Sequence, residues 1–291
     1  MIVNRSHQVL VHGITGRQGT FWTEQMQAYG TTIVGGVNPK KAGSTHCGVP
    51  VFASAVEAAG SLPAGIDVSV LFVPPQGALA AIEDAVAAQA RLVVVLTEFI
   101  PVHDTMAAVH AANTAGSTII GPNTAGVVTP GQAFVGFMPA FDPRIFTPGN
   151  IGVISRSGSL GTLACLELTR AGFGQSAFLG IGGDPVSGTT TADAFTALDD
   201  DDATEAVVLI GEIGGRKEED AAEVIGRSAK PVVSFLAGRV SPPGKRMGHA
   251  GAIVDGATGT YESKRSSLEA VGVTVVDVPW DIPSALKAVT G

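Results

Sequence analysis

One histidine in this sequence is surrounded by residues that suit covalent chemistry. The segment Gly244-Lys245-Arg246-Met247-Gly248-His249-Ala250-Gly251-Ala252 flanks an imidazole with glycines and small side chains and places two cations just before it. Glycines allow close approach of backbone to a ligand. A neutral imidazole nitrogen is a nucleophile near neutral pH, able to attack phosphorus and carry a phosphoryl group. The loop has no nearby cysteine, second histidine or carboxylate, so no metal is expected there. A purely structural histidine is the alternative. Gly211-Glu212-Ile213-Gly214-Gly215 closes an apolar run, and a carboxylate there is placed to accept a hydrogen bond from one imidazole nitrogen and leave the other to react. The alternative is a solvent-facing acid in a loop. Ser155-Arg156-Ser157-Gly158-Ser159-Leu160-Gly161-Thr162 reads as a strand end opening a helix. The hydroxyls and free N–H groups of Ser157, Gly158 and Ser159 suit an anion such as a phosphoryl group, or else an ordinary helix cap.

A second constellation opens the chain. His12-Gly13-Ile14-Thr15-Gly16-Arg17-Gln18-Gly19 follows an apolar run and leads into a helical pattern, so backbone N–H groups would face a phosphate. Its glycines fall as G-x-x-G-x-x-G rather than the dinucleotide fingerprint G-x-G-x-x-G. A nicotinamide site would carry a carboxylate near the end of the second strand. Here Val37-Asn38-Pro39 leads into Lys40 and Lys41, which favours a nucleotide with a phosphorylated ribose, NADP or CoA. Ligands bind outside the carboxyl ends of parallel strands. Phe72-Val73-Pro74 and Leu96-Thr97-Glu98 should therefore lie beside the loop, with Pro74 and Pro75 as a flat wall free of donors. A glycine turn serving only strand–helix packing would look similar.

The elements that must hold these residues alternate along the chain. Apolar runs at 9–12, 32–37, 68–73, 92–97 and 118–120 are separated by helical patterns, a β-α-β rhythm that predicts a parallel sheet with right-handed crossovers. The Pro-rich stretch 131–149 predicts a connection between domains. Runs at 151–155, 177–179, 206–210, 232–236 and 273–276 then predict a second open α/β domain. The expected division is 1–130, a connection over 131–149, and 150–291. The acidic run 199–202 predicts a solvated helix terminus or loop.

Composition agrees with this class. Hydrophobic residues make up 45% and charged residues 15% of the 291, with 38 glycines, as suits strands buried on both faces. The longest apolar runs have strand length, far below the ~20 residues of a membrane span. A net charge of −8 argues against nucleic acid as a partner. Cys47 and Cys165 have no metal-ligand spacing and suggest a reducing compartment. No signal segment is read at the start, so a cytoplasmic location is expected, or the mitochondrial matrix in a eukaryote.

Several segments together resemble the α subunit of the succinyl-CoA synthetase (succinate–CoA ligase) family. They are Gly180-Ile181-Gly182-Gly183-Asp184-Pro185, Gly211-Glu212-Ile213-Gly214-Gly215 and the segment around His249, with Thr45-His46-Cys47-Gly48-Val49-Pro50, Gly121-Pro122-Asn123 and Ser155-Arg156-Ser157-Gly158. The resemblance runs from about residue 9 to 290. It implies a Rossmann-like CoA-binding domain followed by a flavodoxin-like, doubly wound parallel α/β domain. It implies an NDP-forming ligase that joins a small carboxylic acid to CoA through a phosphohistidine and an acyl phosphate. The implied partner is an ATP-grasp β subunit, in an αβ or α2β2 assembly, that supplies ATP or GTP with Mg. By position, His249 would be the phosphorylated residue and Glu212 its orienting group. Ser157, Gly158 and Ser159 would bind phosphate. Thr15, Gly16, Arg17, Gln18, Gly19, Lys40, Phe72, Pro74, Thr97 and Glu98 would line the CoA site, and Asn123, Thr124, Ser157 and Gly248 would meet the acid.

The sequence departs from the family pattern where Thr124 and Ala125 replace the usual Cys-Pro of succinate enzymes, and in the longer segment 138–148. These changes leave the acid open among succinate, malate, another hydroxy acid and a sulfo acid. An NADP-dependent oxidoreductase and a non-catalytic CoA-sensing module are the rival readings, and neither accounts for Glu212 together with the Gly-His-Ala-Gly loop.

Overall fold

The computed structural model describes residues 1–242, 246–254 and 258–291. They form two compact units. One comprises Val3–Met138 with Met1 and Val186–Gly188; the other comprises Pro139–Pro185 and Thr189–Gly291 with Ile2.

The first unit runs β1 (Val9–His12), α1 (Arg17–Tyr29), β2 (Ile33–Val37), β3 (Thr45–His46), β4 (Val49–Phe52), α2 (Ala55–Ser61), β5 (Val68–Leu71), α3 (Pro75–Ala87), β6 (Leu92–Val95), α4 (Val102–Ala115) and β7 (Thr118–Ile120). Every residue of β1, β5 and β6 is buried, which is why these strands read as unbroken apolar runs rather than alternating ones. The strand order is β3-β4-β2-β1-β5-β6-β7. All neighbours pair in parallel except the two-residue edge strand β3. Without that edge the order is the Rossmann one, and the direction of winding reverses between β1 and β5. β8 (Gly126–Thr129) and β9 (Ala133–Gly136) follow as an antiparallel hairpin.

The second unit contains β10 (Pro148–Ser155), α5 (Gly158–Arg170), β11 (Gln175–Gly180), α6 (Thr191–Asp199), β12 (Ala206–Glu212), α7 (Lys217–Ile225), β13 (Val232–Ala237), α8 (Tyr261–Glu269), β14 (Thr274–Val276) and α9 (Ile282–Thr290). Its strands lie in the order β14-β13-β12-β10-β11 and are parallel. This is the flavodoxin-like order, with its reversal between β10 and β12. Ser157 caps α5 by accepting from the Leu160 N–H, and Thr190 with Asp193 makes a capping box at α6.

The structure differs from the sequence reading between residues 131 and 149. That stretch holds β9, and the passage from the first unit to the second falls at Met138–Pro139. The hydroxyl of Thr31 donates to the Phe134 carbonyl at 2.8 Å and accepts from the Phe134 N–H at 3.1 Å, tying β9 to the end of α1. Four residues between proline-rich flanks are too few to show a period, which hid the strand. β10 begins at Pro148, three residues before the predicted start, with an irregular register where proline has no N–H to give. The acidic run ends α6, as a helix terminus. Among the described residues, no helix is long and apolar enough to cross a membrane.

Gly19 shows how closely α1 sits on the turn that precedes it. A Cβ there would lie 2.2 Å from the Gly13 carbonyl oxygen. Gly19→Ala is expected to lower stability by about 1–3 kcal/mol, read as a shift of the urea unfolding midpoint.

Candidate active site

In the second unit, the reversal between β10 and β12 places Ser155 and Glu212 at adjacent strand ends. Glu212 is buried as the last residue of β12. Its Oε2 lies 2.7 Å from His249 Nδ1. Because the carboxylate accepts, Nδ1 carries the proton and Nε2 is left as the ring nitrogen with a lone pair. The hydrogen bond that Nδ1 donates to Glu212 raises the imidazole above its ordinary value of 6.5, against a smaller opposing effect of burial. Gly183 permits the contact: a Cβ on it would fall 2.3 Å from the imidazole Cγ. Its carbonyl also accepts from the Gly251 N–H at 3.0 Å, which ties the histidine segment to the loop after β11.

Behind Glu212 lies a buried ionic cluster. Arg156, the residue after β10, is 2% exposed. Its Nη2 is 3.1 Å from Glu212 Oε1, and its Nη1 donates to the carbonyls of Glu212 (3.2 Å) and Gly214 (3.1 Å) and to Glu218 Oε1 (3.3 Å). The Arg156–Glu212 approach is an ion pair lying off the hydrogen-bonding direction. Glu218 and Lys264, both fully buried, form a direct ion pair, and Lys264 Nζ is also 3.2 Å from Glu219 Oε2. Burial alone would push the Glu218 carboxyl up; Arg156 and Lys264 overcome it and hold the group below its usual range. Glu219 Oε1 then accepts from the Gly259 N–H at 3.2 Å and from the Ser263 hydroxyl at 3.1 Å. Lys217, at the start of α7, donates to the Asp184 carbonyl at 2.9 Å, and burial, then Arg156, push its ammonium down to about 8. Three carboxylates thus face two cations in Arg156 and Lys264, and a positive charge on His249 balances the set.

In the first unit, two cavities flank the start of α1. One, of about 680 Å³, is lined by Thr15, Gly16, Asn38, Phe72 and Pro74 among others. The other, of about 490 Å³, is lined by Gln18, Trp22, Phe72, Thr97 and Phe137 among others. Both lie at strand carboxyl ends beside the winding reversal and share the Phe72–Val73 wall. Their volumes suit small-molecule sites, roughly 300–1,000 Å³.

Residues 4–99 match the family model described as CoA binding domain, and residues 154–274 match CoA-ligase. All 291 residues align at 48% identity with succinate–CoA ligase [ADP-forming] subunit alpha of Methanothermobacter thermautotrophicus, covering 97% of that protein. The chain belongs to the succinate–CoA ligase α-subunit family. A second member, subunit alpha 1 of Archaeoglobus fulgidus, is 46% identical over 289 residues, with 99% of this chain and 98% of that protein covered. Among solved structures, an ATP citrate lyase of Methanosaeta concilii in complex with (3S)-citryl-CoA matches 99% of this chain with a TM-score of 0.89 at 23% identity. The likeness there is one of fold, and the chain spans half the length of that protein. Membership of a CoA-ligase family selects CoA over NADP as the nucleotide of the first unit.

The structure brings some of the sequence-marked residues together and separates others. Thr15, Gly16, Phe72 and Pro74 line the larger cavity; Gln18, Phe72 and Thr97 line the smaller. Gly19 sits behind them in the packing of α1. Arg17, Lys40 and Glu98 are exposed and line neither cavity. Asn123 and Thr124 belong to the first unit, and Ser157 and Gly248 to the second. Thr124 is buried, its hydroxyl accepting from the Gly126 N–H at 2.9 Å. Gly158 opens α5, with the Ser157 and Ser159 hydroxyls 3.3 Å apart. Gly248 has φ +78° directly before His249. Gly244 and Lys245 of the histidine segment lie outside the described residues. The sequence reading missed Arg156, Glu218 and Lys264 as parts of one cluster. Their one signal was an arginine directly after a buried strand.

The electrostatics give a signed expectation. The imidazolium is favoured by the folded state, so its contribution to stability is complete below pH 6.5 and is lost as pH rises through the raised folded value. Titration of the His249 ring by NMR should give a midpoint above 6.5. In Glu212→Gln the midpoint should fall below 6.5, because burial and Arg156 then prevail.

Proposed function

We propose that this chain is the α subunit of a nucleoside-diphosphate-forming acid–CoA ligase, with His249 as the phosphoryl carrier. The observation that supports it best is the Glu212–His249 contact, which leaves Nε2 as the nucleophile of a glycine-lined segment. In the first step Nε2 attacks the γ-phosphorus of a nucleoside triphosphate; an N–P bond forms, a P–O bond breaks, and the diphosphate leaves. Glu212 holds the Nδ1 proton throughout and stabilises the positive charge that the ring gains on attack. A carboxylate oxygen of the acid then takes the phosphoryl group, breaking the N–P bond and giving an acyl phosphate. The CoA thiolate attacks its carbonyl carbon and phosphate departs. The start of α5, with Ser157, Gly158 and Ser159, is the proposed phosphate cradle.

CoA is placed in the first unit by this reading. The free N–H groups at the start of α1, at Arg17, Gln18 and Gly19, suit its diphosphate, and the two cavities suit its two arms. Lys40 and Glu98 are proposed as outer contacts of the same ligand, and Asn123, Thr124 and Gly248 as contacts of the acid. The triphosphate, ATP or GTP with Mg, is assigned to an ATP-grasp β subunit in an αβ or α2β2 assembly. Succinate, named in the relatives, is the first acid to test. Malate, other hydroxy acids and sulfo acids follow because of Thr124 and Ala125.

Two experiments test this. With the partner subunit and γ-labelled nucleotide, the wild-type chain should take up acid-labile label, and His249→Asn should take up none. Label persisting in His249→Asn overturns the assignment. A thioester assay across short dicarboxylic, hydroxy and sulfo acids should show one class turned over at least about tenfold faster than the rest. Uniform rates would mean that Thr124 and Ala125 do not select the acid.

A further inference from the structure

The buried cluster extends well past the two residues that touch the imidazole. From His249 the contacts pass to Glu212, to Arg156, to Glu218, to Lys264 and to Glu219, which takes the N–H of Gly259 just before α8. These groups come from the ends of β10 and β12, from α7 and from α8. Glu218 is the pivot. Its Oε1 accepts from the Glu212 backbone N–H at 3.3 Å and from Arg156, while its Oε2 meets Lys264. Arg156 is therefore held between two carboxylates, and Lys264 pairs with the other oxygen of Glu218.

We propose that Lys264 and Glu218 are positioning residues of the phosphoryl-carrier site: together they fix Arg156 and set the negative charge that Glu212 presents to His249. This rests on the functional reading above, but its central test does not need turnover. With Lys264 removed, Glu218 keeps its charge and draws the guanidinium away from Glu212 Oε1. The cluster then carries one more uncompensated negative charge behind Glu212. With Glu218 neutralised, Arg156 is left to Glu212 alone and the surplus negative charge disappears. Removing both restores the original balance. The other charged groups that act on the imidazole or its immediate partners, among the described residues, are Asp184 after β11 and Lys217 at the start of α7, and they are unchanged in every variant.

A role limited to packing predicts no such sign pattern. Lys264→Met keeps the length and apolar stem of the side chain, Lys264→Arg keeps its charge, and Glu218→Gln keeps its shape. The His249 resonance of the full chain, identified by its loss in His249→Asn, is titrated by NMR. Lys264→Met should raise the midpoint by about half to one pH unit, and Glu218→Gln should lower it by a similar amount. Lys264→Arg and the double variant Lys264→Met/Glu218→Gln should both stay near wild type. If Lys264→Met does not fold, the downward shift in Glu218→Gln and its cancellation in the double variant carry the test. Midpoints that do not move, or single shifts that fail to cancel, overturn the proposal. With the partner subunit and labelled nucleotide, the pH dependence of labelling should move in step with the NMR midpoints. If wild type shows the NMR pattern but takes up no label at His249, the functional reading fails while the positioning role stands.

Discussion

Moving an ionised group from water into a protein interior costs several kcal/mol unless a counter-charge and hydrogen bonds are already in place. Five such groups, Arg156, Glu212, Glu218, Glu219 and Lys264, sit at or behind the ends of β10 and β12, each with its side chain less than a tenth exposed. No single element supplies enough partners. A strand end brings Arg156, the neighbouring strand end brings Glu212, and the first turn of α7 brings two acids where a helix dipole favours negative charge. α8 brings the lysine. Mutual neutralisation therefore fixes how these elements approach one another, and the imidazole of His249 is the partly exposed end of the arrangement, with its side chain 25% accessible.

The two units use one topological rule for different chemistry. In each, winding reverses between two neighbouring parallel strands, which opens a crevice at their carboxyl ends. In the first unit the crevice receives the start of α1 and is flanked by apolar cavities, with uncharged polar groups such as Thr15, Asn38 and Gln18 on their walls. The first backbone N–H groups of α1 lend that site positive character, while Asp84, on the wall of the larger cavity, accepts from the Ala55 N–H at 2.6 Å. In the second unit the crevice is filled by ion pairs, and the imidazole of His249 meets them from a separate segment. A glycine at 183 lets that segment lie flat against the loop after β11. A dipolar site suits reversible binding of a large polyanion. A site with fixed opposite charges suits a group whose own charge changes during a reaction.

The legible parts of the sequence were those whose chemistry and position are local. Parallel strands buried on both faces announce themselves as apolar runs, so the main β-α-β succession of both units could be foreseen, and with it the strand ends beside the first glycine loop. Glu212 stood at the end of such a run, and His249 stood among glycines. Lys264 was illegible for the opposite reason. It lies in Tyr261-Glu262-Ser263-Lys264-Arg265-Ser266-Ser267, which reads as a solvated helix face, yet it is fully buried against an acid 46 residues away. Glu218 likewise sits in a run of three acids at a helix start, where solvation is the ordinary expectation. The family resemblance placed Arg17, Lys40 and Glu98 at the CoA site by position, but long charged side chains report poorly on which cavity they serve. β3 has two residues, β4 carries Pro50, and β9 lies between proline- and glycine-bearing flanks that read as loop.

An apolar residue at 264 would pack into the same space, and replacing a buried ion pair by well-packed apolar groups is often neutral or favourable for stability. Stability therefore gives a weak account of why a lysine occupies the site. The requirement lies one contact away. Glu212 and Glu218 compete for Arg156: its Nη2 is 3.1 Å from Glu212 Oε1 and its Nη1 is 3.3 Å from Glu218 Oε1, which also receives the Glu212 N–H. A second cation on the far oxygen of Glu218 weakens that competition and leaves the guanidinium shared. The shared position leaves Glu212 partly compensated, so that it holds the Nδ1 proton of His249 without being neutralised by it. A fully compensated Glu212 would still accept the Nδ1 proton but would favour the imidazolium less strongly. An uncompensated one would keep the ring protonated and unable to attack. The lysine two contacts behind Glu212 holds the carboxylate between those limits.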